Sequence, residues 1–457
     1  MSAIGEETLA LLTRLAWVAL AILFAEAVGH ARAAARDGRL SGGIAFALEL
    51  GAWSGAAALL ASLVARPGPD LAATAAGPRA LAFAALAGAA IRRLSPLARA
   101  TAVAAVSALV VGRVAGAAAL AASLSACLPA YALVRHMAPR RPRLAALLQV
   151  ALFATLLGVL AHLRTRDGIT ALAAFGLLAF VGMRHASFAL ATRSSPPASL
   201  AQYLAYLLFY PTCLGAMEVF DEFRDKNLRG DSVQAPAEAL GRIALGAVAL
   251  TIALQIDASM DRVTATAGAL AAWGEVSRLF VRASLAVSGL WGMLEGGALL
   301  LGFRLRPNFR RILLAESPRE FWHAWRGTMT RWLTVHVYVP LGGGRRHRMR
   351  NTAAAFAVST AWHCLGVAML LGERVTPASF APVAAWGAFS FAGVAVHAAV
   401  RARRAPRDRA LPAALAVRAL KIGGTWIYGS FTVTLLDLSL GDPQRFALFL
   451  RQITGLG

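Results

Sequence analysis

The chain has 457 residues, of which 58% are hydrophobic and only 15% are charged. These proportions exclude an ordinary soluble protein, because a soluble chain of this length needs more charge and more helix-breaking loops. The net charge is +23, which in a soluble chain would suggest binding to nucleic acid. Here the arginine clusters lie in loops between apolar runs. The excess of basic residues in cytoplasmic loops of membrane proteins and their attraction to anionic lipid explain this distribution. No nucleic-acid partner is therefore expected.

Continuous apolar runs recur along the whole chain. They cover residues 15–28, 43–65, 98–134, 145–162, 169–183, 200–217, 239–256, 279–303, 352–372, 379–400 and 412–440. A helix needs about 20 residues to cross a ~30 Å hydrocarbon core, and lipid leaves no backbone group unsatisfied, so spanning runs should be helical. The sequence predicts an all-α polytopic integral membrane protein with roughly 10–12 transmembrane helices and short interfacial or re-entrant helices.

Composition changes along the chain without a break that would separate soluble domains. Residues 1–457 are predicted to form a single membrane domain, in which 1–165 are scaffold helices and 170–440 form the functional core. The first apolar run follows an acidic stretch, so we expect an uncleaved first helix rather than a signal peptide. The three cysteines lie in apolar runs without metal-ligand or disulfide spacing, so no metal site is expected.

Residues 317–333 carry the signals of a short helix at the membrane surface. Ser317 is expected at the N-cap, with Pro318 at the first helical position and Glu320 completing a capping box. Tryptophans then recur at helical spacing beside a basic row, which is typical of an interfacial amphipathic helix. The glycines of "VPLGGG" at 339–344 predict a turn that ends this segment.

His363 is an ionisable residue inside the apolar run 352–372. It lies roughly 18 Å along the helix from Asn351, close to the middle of the hydrocarbon core. The basic residues before this run place that end in the cytoplasm. Ser359 and Thr360 lie on the same helix face and leave room for a substrate. From the residues alone, His363 is either a functional group or a hydrogen-bonded structural histidine.

An ordered set of motifs gives the chain a family resemblance. "EFWHAWRGTMTRWLTVHVYVPLGG" at 320–343, followed by "STAWHCLG" at 359–366, resembles the membrane-bound O-acyltransferase (MBOAT) superfamily, in particular its bacterial alginate O-acetylase-like branch. The residues that match the family motifs are Phe321, Trp322, Trp325, Tyr338, Pro340, Leu341, Gly342, Gly343, Trp362 and His363. The resemblance extends over residues 180–400 and is sharpest over 300–366.

This resemblance implies both a fold and an activity. Similar enzymes are membrane-embedded and transfer an acyl group, here expected to be acetyl, from a cytoplasmic thioester such as acyl-CoA, without a bound cofactor. The implied acceptor is a hydroxyl of a cell-envelope glycan, and His363 would act as the general base. The bacterial branch implies a multi-pass protein of the inner membrane, in contact with the lipid bilayer and with a periplasmic acetyltransferase as a candidate partner.

The chain departs from the family pattern at the second catalytic position. Arg326 stands where members usually have a histidine, asparagine or aspartate, and Thr334-Val335 replaces a usual Arg-Asp pair. His323, on a neighbouring part of the same predicted helix face, is the candidate replacement. Arg326 either stabilises the developing oxyanion or grips a donor phosphate, or it is an interfacial arginine. These departures leave open a catalytically inactive scaffold.

The remaining site residues are predicted from their positions. The candidate substrate channel comprises Trp322, Trp325, Ser359, Thr360, Trp362, Cys364 and Glu218. Cys364 lies about 100° around the helix from His363, which favours a buried hydrophobe over an acyl carrier. Arg345, Arg346 and Arg348 are predicted to bind the phosphates of the donor, although membrane topology alone also explains them.

Two other functions remain open at this point. A lipid alcohol, as in wax or acylglycerol synthesis, would also suit an MBOAT-like core, and a lateral, lipid-lined opening would favour it. A transporter typically shows internal repeats and paired broken helices, and neither is evident in the sequence.

Overall fold

The computed structural model describes residues 88, 91, 94–167, 169–193, 198–212, 215–229, 235–265, 268–402, 411–438 and 443–454. The helices in this part are α1 Pro96–Val114, α2 Ala117–Ala132, α3 Pro142–Asp167, α4 Ile169–Ala191, α5 Leu200–Leu207, α6 Phe220–Asn227, α7 Pro236–Gln255, α8 Met260–Ala265, α9 Ala269–Leu300, α10 Pro318–Ala324, α11 Gly327–Leu333, α12 Arg348–Leu371, α13 Ala381–Ala402, α14 Leu411–Leu438 and α15 Pro443–Thr454. Short helical turns occur at Leu133–Met137, Ile312–Leu314, Thr334–Tyr338, Gly372–Arg374 and Pro377–Phe380. These described ranges contain no β-strand, which confirms the predicted all-α class.

Six described segments are long and apolar enough to cross a membrane. They are Ala117–Met137, Pro142–Val159, Pro236–Gln255, Ala269–Leu300, Arg348–Met369 and Pro377–Ala402. These spans confirm a multi-pass membrane protein. The predicted runs 15–28 and 43–65, and with them the predicted uncleaved first helix, lie outside the described residues, so the total number of helices stays a prediction.

Two of the predicted apolar runs illustrate how local sequence sets helix length. The run 98–134 divides at Gly116, whose φ of 93° favours glycine, and forms α1 and α2. The run 200–217 instead yields only the eight-residue α5, which rises about 12 Å and is too short to cross the membrane. The expectation of a spanning helix there is wrong. The irregular backbone that follows is buried by protein, where such backbone is tolerated.

The described helices belong to two compact units. The described residues of the first lie within 88–157, 173–249 and 289–307. Within it, the buried Arg184 guanidinium donates hydrogen bonds to the carbonyls of Tyr206, Leu207 and Ala216, at 3.3, 2.9 and 2.8 Å. One cation thus satisfies backbone groups that the end of α5 and the irregular segment after it leave unpaired. The predicted division into scaffold and functional core stays a prediction.

The second unit carries the whole motif region. It comprises Gly158–Leu172, Leu250–Ser288 and Asn308–Gly457. The Ser317 hydroxyl accepts a hydrogen bond from the Glu320 N–H at 3.2 Å, which confirms the predicted N-cap of α10. The Glu320 carboxylate accepts from the N–H of Glu316 at 2.9 Å, so only half of the predicted capping box forms. Gly342 and Gly343 have φ of 107° and 57°, as the predicted turn requires.

The predicted single helix over 317–333 is wrong, because the structure divides it into α10 and α11. The chain breaks at Arg326, whose φ of 51° lies in the left-handed region. The side-chain oxygen of Asn308 accepts from the Thr328 N–H and hydroxyl, at 3.3 and 2.6 Å. Its carbonyl accepts from the Gly327 N–H at 2.7 Å. Asn308 therefore satisfies the free N–H groups that begin a helix, and the break becomes favourable.

Candidate active site

The protonation pattern of His363 follows from one backbone contact. Its ring lies on α12, half-buried, with Nδ1 2.8 Å from the carbonyl oxygen of Ser359. A carbonyl only accepts hydrogen bonds, so Nδ1 carries the proton and the neutral ring keeps its lone pair on Nε2. In the described part of the chain, no hydrogen bond to Nε2 occurs. By contrast, both ring nitrogens of the buried His185 are occupied, by Tyr203 and Gln149 at 2.8 Å each.

Aromatic side chains support the His363 ring from one side. The Trp386 ring lies 4.5 Å from it, centroid to centroid, and Trp322 contacts Trp386 edge to face at 5.8 Å. The Trp322 indole N–H donates to the Tyr428 hydroxyl at 2.7 Å. That hydroxyl donates to the carbonyl of Ser390 at 2.8 Å. Because the Trp322 N–H and the Tyr428 hydroxyl are both satisfied, these two side chains hold the aromatic cluster behind Trp386 in place.

Glycines on α13 bring its neighbours close enough to build this cluster. A Cβ at Gly387 would lie 2.0 Å from the Thr360 hydroxyl oxygen on α12. A Cβ at Gly393 would lie 2.2 Å from the ring of Tyr428 on α14. Small residues permit such close approach between membrane helices. Gly387 follows Trp386 directly, so the same contact that joins α12 and α13 places the tryptophan against His363.

Replacing Gly387 with alanine should therefore disturb the site through the helix contact. The added methyl group overlaps Thr360, so α13 has to shift, at a cost of about 1–3 kcal/mol for overpacking. A misplacement of Trp386 by a fraction of an ångström should lower the acyl transfer that the family resemblance implies by about tenfold to a hundredfold. The measurements are the thermal unfolding midpoint in detergent and the rate of that transfer.

Two companion variants make this test specific. Gly366→Ala lies on α12, where an added Cβ meets no atom within 4 Å, and it should leave both quantities unchanged or raise the midpoint. The double variant Gly387→Ala with Thr360→Gly removes the overlapping side chain and should recover activity. Equal activity of Gly387→Ala and wild type would show that the close contact does not position the ring.

His363 lies on the wall of a cavity of about 220 Å³ formed within the second unit by α10, α11, α12 and α13. Of the predicted site residues, those that line it are His363, Arg326, His323, Trp322, Trp325, Ser359 and Arg348. The predicted site residues of the second unit that do not line it are Thr360, Trp362, Cys364, Arg345 and Arg346. The cavity is mainly apolar with a few polar groups, which is usual for a small-molecule site.

Arg326 is a cation placed in this cavity under backbone strain. It connects α10 and α11 with a left-handed backbone, a conformation that costs an L-residue about 1–2 kcal/mol. Its side chain is half-buried and has no carboxylate partner among the described residues. Burial lowers the pKa of the guanidinium, but an arginine stays charged at any physiological pH. Strained residues that persist in a fold are candidates for function.

The predicted channel residues outside the cavity have other contacts. The Thr360 hydroxyl donates to the carbonyl of Phe356 at 2.8 Å. Cys364 packs against the hydrophobic core of the second unit, in agreement with its interpretation as a small hydrophobe. Arg345 and Arg346 are exposed in the glycine turn.

Glu218 belongs to the first unit and is buried there. Its carboxylate accepts from the backbone N–H of Arg306 at 2.9 Å. Burial raises the pKa of Glu218 to about 7. Its surroundings are those of a packed interior group.

Sequence reasoning missed the part of the site that α13 contributes. Trp386 and Gly387 lie within the apolar run 379–400 and were not assigned a role. The available signal was the Trp-Gly pair together with Gly393, because small residues in a membrane helix mark close packing.

Comparison with known proteins shows which family the chain belongs to. Residues 145–376, just over half of the chain, match the MBOAT, membrane-bound O-acyltransferase family. A probable alginate O-acetylase, AlgI, of Pseudomonas aeruginosa is 28% identical over 224 residues, which is 47% of this chain and 41% of the relative. A peptidoglycan O-acetyltransferase of Helicobacter pylori is 27% identical over 191 residues, 38% of this chain and 36% of the relative.

Other relatives match shorter stretches. A membrane-bound O-acyltransferase, GUP1, of Candida tropicalis is 33% identical over 85 residues, which is 18% of this chain and 13% of the relative. The matched stretch covers less than half of the full length of each of the two bacterial relatives. The family resemblance predicted from residues 320–366 is confirmed, and the chain belongs to the membrane-bound O-acyltransferase family.

Proposed function

We propose that this protein is a membrane-embedded O-acyltransferase that moves an acetyl group from a thioester to a hydroxyl of a cell-envelope glycan. The single observation that carries the proposal is the state of His363. Its Nδ1–H is held by the Ser359 carbonyl, and the ring lies on the wall of a cavity. A neutral imidazole with an unoccupied Nε2 is the form that accepts a proton near neutral pH.

The proposed reaction uses this lone pair in one addition and one elimination. As the acceptor oxygen attacks the thioester carbonyl carbon, its proton moves to Nε2 of His363 and the carbonyl oxygen becomes an oxyanion. When the tetrahedral intermediate collapses, the C–S bond breaks and the leaving sulfur takes the proton from Nε2. The Ser359 carbonyl stabilises the imidazolium through Nδ1–H in between. The histidine ends in its initial state.

Arg326 is the proposed partner of the oxyanion. It lines the same cavity as His363, and it forms no ion pair with a described residue. A preorganised cation in a site of low dielectric lowers the energy of a developing negative charge. Arg326 thereby fills the position at which the family usually carries another polar residue. His323 is exposed on the cavity rim and is proposed to contact the acceptor.

The acceptor class and the location are inferred from the relatives. Two relatives are named for O-acetyl transfer involving alginate or peptidoglycan, which favours a glycan over a lipid alcohol. The basic start of α12 favours a cytoplasmic donor side, so the enzyme is proposed to act in the inner membrane. A periplasmic acetyltransferase is the proposed receiver or partner on the other side.

The proposal is tested by following acetyl groups from donor to acceptor. Purified protein in lipid nanodiscs is incubated with radiolabelled acetyl-CoA and isolated envelope material, and thiol release is measured in parallel. We expect base-labile label in the polysaccharide fraction. Label in the lipid fraction alone would contradict the acceptor class, and folded protein that releases no thiol and labels neither fraction would contradict the enzyme.

A further inference from the structure

A buried hydrogen-bond donor in the cavity of His363 has no acceptor in the described part of the chain. Trp386, on α13, lines this cavity, and its side chain is only 2% exposed. Its indole Nε1–H is buried and makes no hydrogen bond to a described residue. A buried tryptophan N–H usually has a partner, because an unsatisfied donor costs free energy. This N–H therefore calls for an acceptor that the described chain does not supply.

The polar groups of the neighbouring helices are already engaged with one another. The Trp322 indole N–H donates to the Tyr428 hydroxyl at 2.7 Å, and the Thr360 hydroxyl donates to the Phe356 carbonyl at 2.8 Å. Trp322 and Trp386 are in edge-to-face contact, yet only the N–H of Trp386 is unpaired. The aromatic cluster thus satisfies one of these two indoles and leaves the other available to a ligand.

The unpaired donor belongs to the ring that lies against the proposed base. The centres of the Trp386 and His363 rings are 4.5 Å apart, and Nε2 of His363 has no described hydrogen-bond partner. The same cavity therefore offers a proton acceptor and a neutral donor on adjacent rings. Acyl transfer requires both, because the attacking oxygen loses a proton while the carbonyl oxygen, bonded to the same carbon, gains negative charge.

We propose that Trp386 is a catalytic residue whose indole N–H donates a hydrogen bond to the carbonyl oxygen of the acyl thioester. The inference rests on the proposed acyl transfer. As the acceptor oxygen attacks, the π electrons of the C=O bond move onto the carbonyl oxygen, and the N–H keeps its proton while this hydrogen bond strengthens. When the C–S bond breaks, those electrons form the C=O bond again. Trp386 and Arg326, which lines the same cavity, thus supply two donors to one oxyanion.

The chemistry of the indole favours the carbonyl oxygen over the acceptor hydroxyl. The indole N–H only donates hydrogen bonds, so it cannot remove the proton of the hydroxyl. A hydrogen bond to the attacking oxygen would occupy a lone pair and make that oxygen less nucleophilic. The same bond to the carbonyl oxygen makes the carbonyl carbon more electrophilic. Because the indole does not titrate, it remains a donor at every pH at which the neutral His363 can act as the base.

The test uses two unreactive donor analogues that differ at one position. In S-acetonyl-coenzyme A, a methylene group separates the sulfur from a ketone, so no thiol can be released by acyl transfer. S-methallyl-coenzyme A carries a CH₂ group in place of the ketone oxygen and has nearly the same shape. The affinity of each is measured by isothermal titration calorimetry on the full chain in lipid nanodiscs.

The wild type should prefer the ketone by about tenfold to a hundredfold, because the alkene leaves buried donors without an acceptor. In Trp386→Phe this preference should fall by about fivefold or more. Looser packing in the variant weakens both ligands alike, because their shapes match, and leaves the ratio of their affinities unchanged. The ratio therefore reports the hydrogen bond and not the lost volume of the ring.

A second tryptophan variant provides the matched control. Trp273 lies in the same unit, is half-buried and does not line the cavity, so Trp273→Phe should keep the full preference for the ketone. Three results would overturn the inference: a preference of wild-type size in Trp386→Phe, an equal loss in Trp273→Phe, or no binding of either analogue to the wild type.

A measurement on the wild type alone covers the case in which Trp386→Phe does not fold. The chain has ten tryptophans, whose indole N–H signals are observed by NMR after ¹⁵N labelling. The ketone should move one indole proton signal downfield, and the alkene should not; the absence of such a shift contradicts the hydrogen bond. Both experiments proceed without turnover. Selectivity for the ketone in a protein that transfers no acetyl group would contradict the proposed function alone, and transfer without this selectivity would contradict the role of Trp386 alone.

Discussion

The variant Arg326→Gly should lose acetyl transfer while its fold remains intact. Glycine adopts the left-handed backbone of this position without the cost of about 1–2 kcal/mol that an L-residue bears. The unfolding midpoint should therefore stay the same or rise. Loss of the guanidinium removes the charge that faces the oxyanion, and removal of one such donor typically lowers kcat by about 10²–10³-fold. Thermal unfolding and steady-state transfer from acetyl-CoA give the two quantities.

Arg311 offers a matched control for this variant. It is also an arginine in the left-handed region, with φ of 55°, but it is exposed and does not line the cavity. Arg311→Gly should change stability as Arg326→Gly does and leave kcat unchanged. Arg326→Lys keeps the charge without the planar fork and should retain part of the activity. Full activity in Arg326→Gly would show that Arg326 takes no part in catalysis and only connects α10 to α11.

The sequence predicted best those features of the fold that are determined by residues close together in the chain. The apolar runs predicted the helical membrane class, Ser317 predicted the start of α10, and the glycines at 342–344 predicted a turn. His363 lies within the span Arg348–Met369, as its apolar run predicted, whereas its depth in the membrane stays a prediction. Each of these signals depends on neighbours in sequence, so a single chain suffices to read it.

The rest depends on contacts between distant residues. The break at Arg326 is fixed by Asn308, eighteen positions earlier in the sequence, and the helical spacing of the tryptophans predicted one continuous helix instead. Trp386 reaches His363 only because Gly387 lets α13 approach α12. No periodicity within either helix encodes that approach.

The donor contacts show the same limit. The three predicted donor contacts are close in sequence, namely Arg345, Arg346 and Arg348. Their charge alone does not show which of them reaches the cavity. In the structure Arg348 alone of these three lines the cavity that contains His363, whereas Arg345 and Arg346 are exposed in the glycine turn. The other arginines that line this cavity are Arg319 of α10 and Arg326 between α10 and α11. Convergence of this kind becomes visible only in three dimensions.

The central claim is that His363 is the base, and His363→Ala tests it most directly. General-base catalysis is typically worth about 10²–10⁴-fold, so the variant should fall by that factor in acetyl transfer. It should keep the unfolding midpoint. His363→Gln fills the space without a basic nitrogen and should be equally inactive. The exposed His136→Ala serves as the matched control.

The decisive measurement is the transfer rate of His363→Ala with imidazole added to the buffer. The space left by the deleted ring adjoins the cavity, so free imidazole should enter it and restore part of the rate, increasingly with pH as more of it becomes neutral. No such rescue should occur in Arg326→Gly. A folded His363→Ala protein that transfers acetyl groups at the wild-type rate without imidazole would contradict the account.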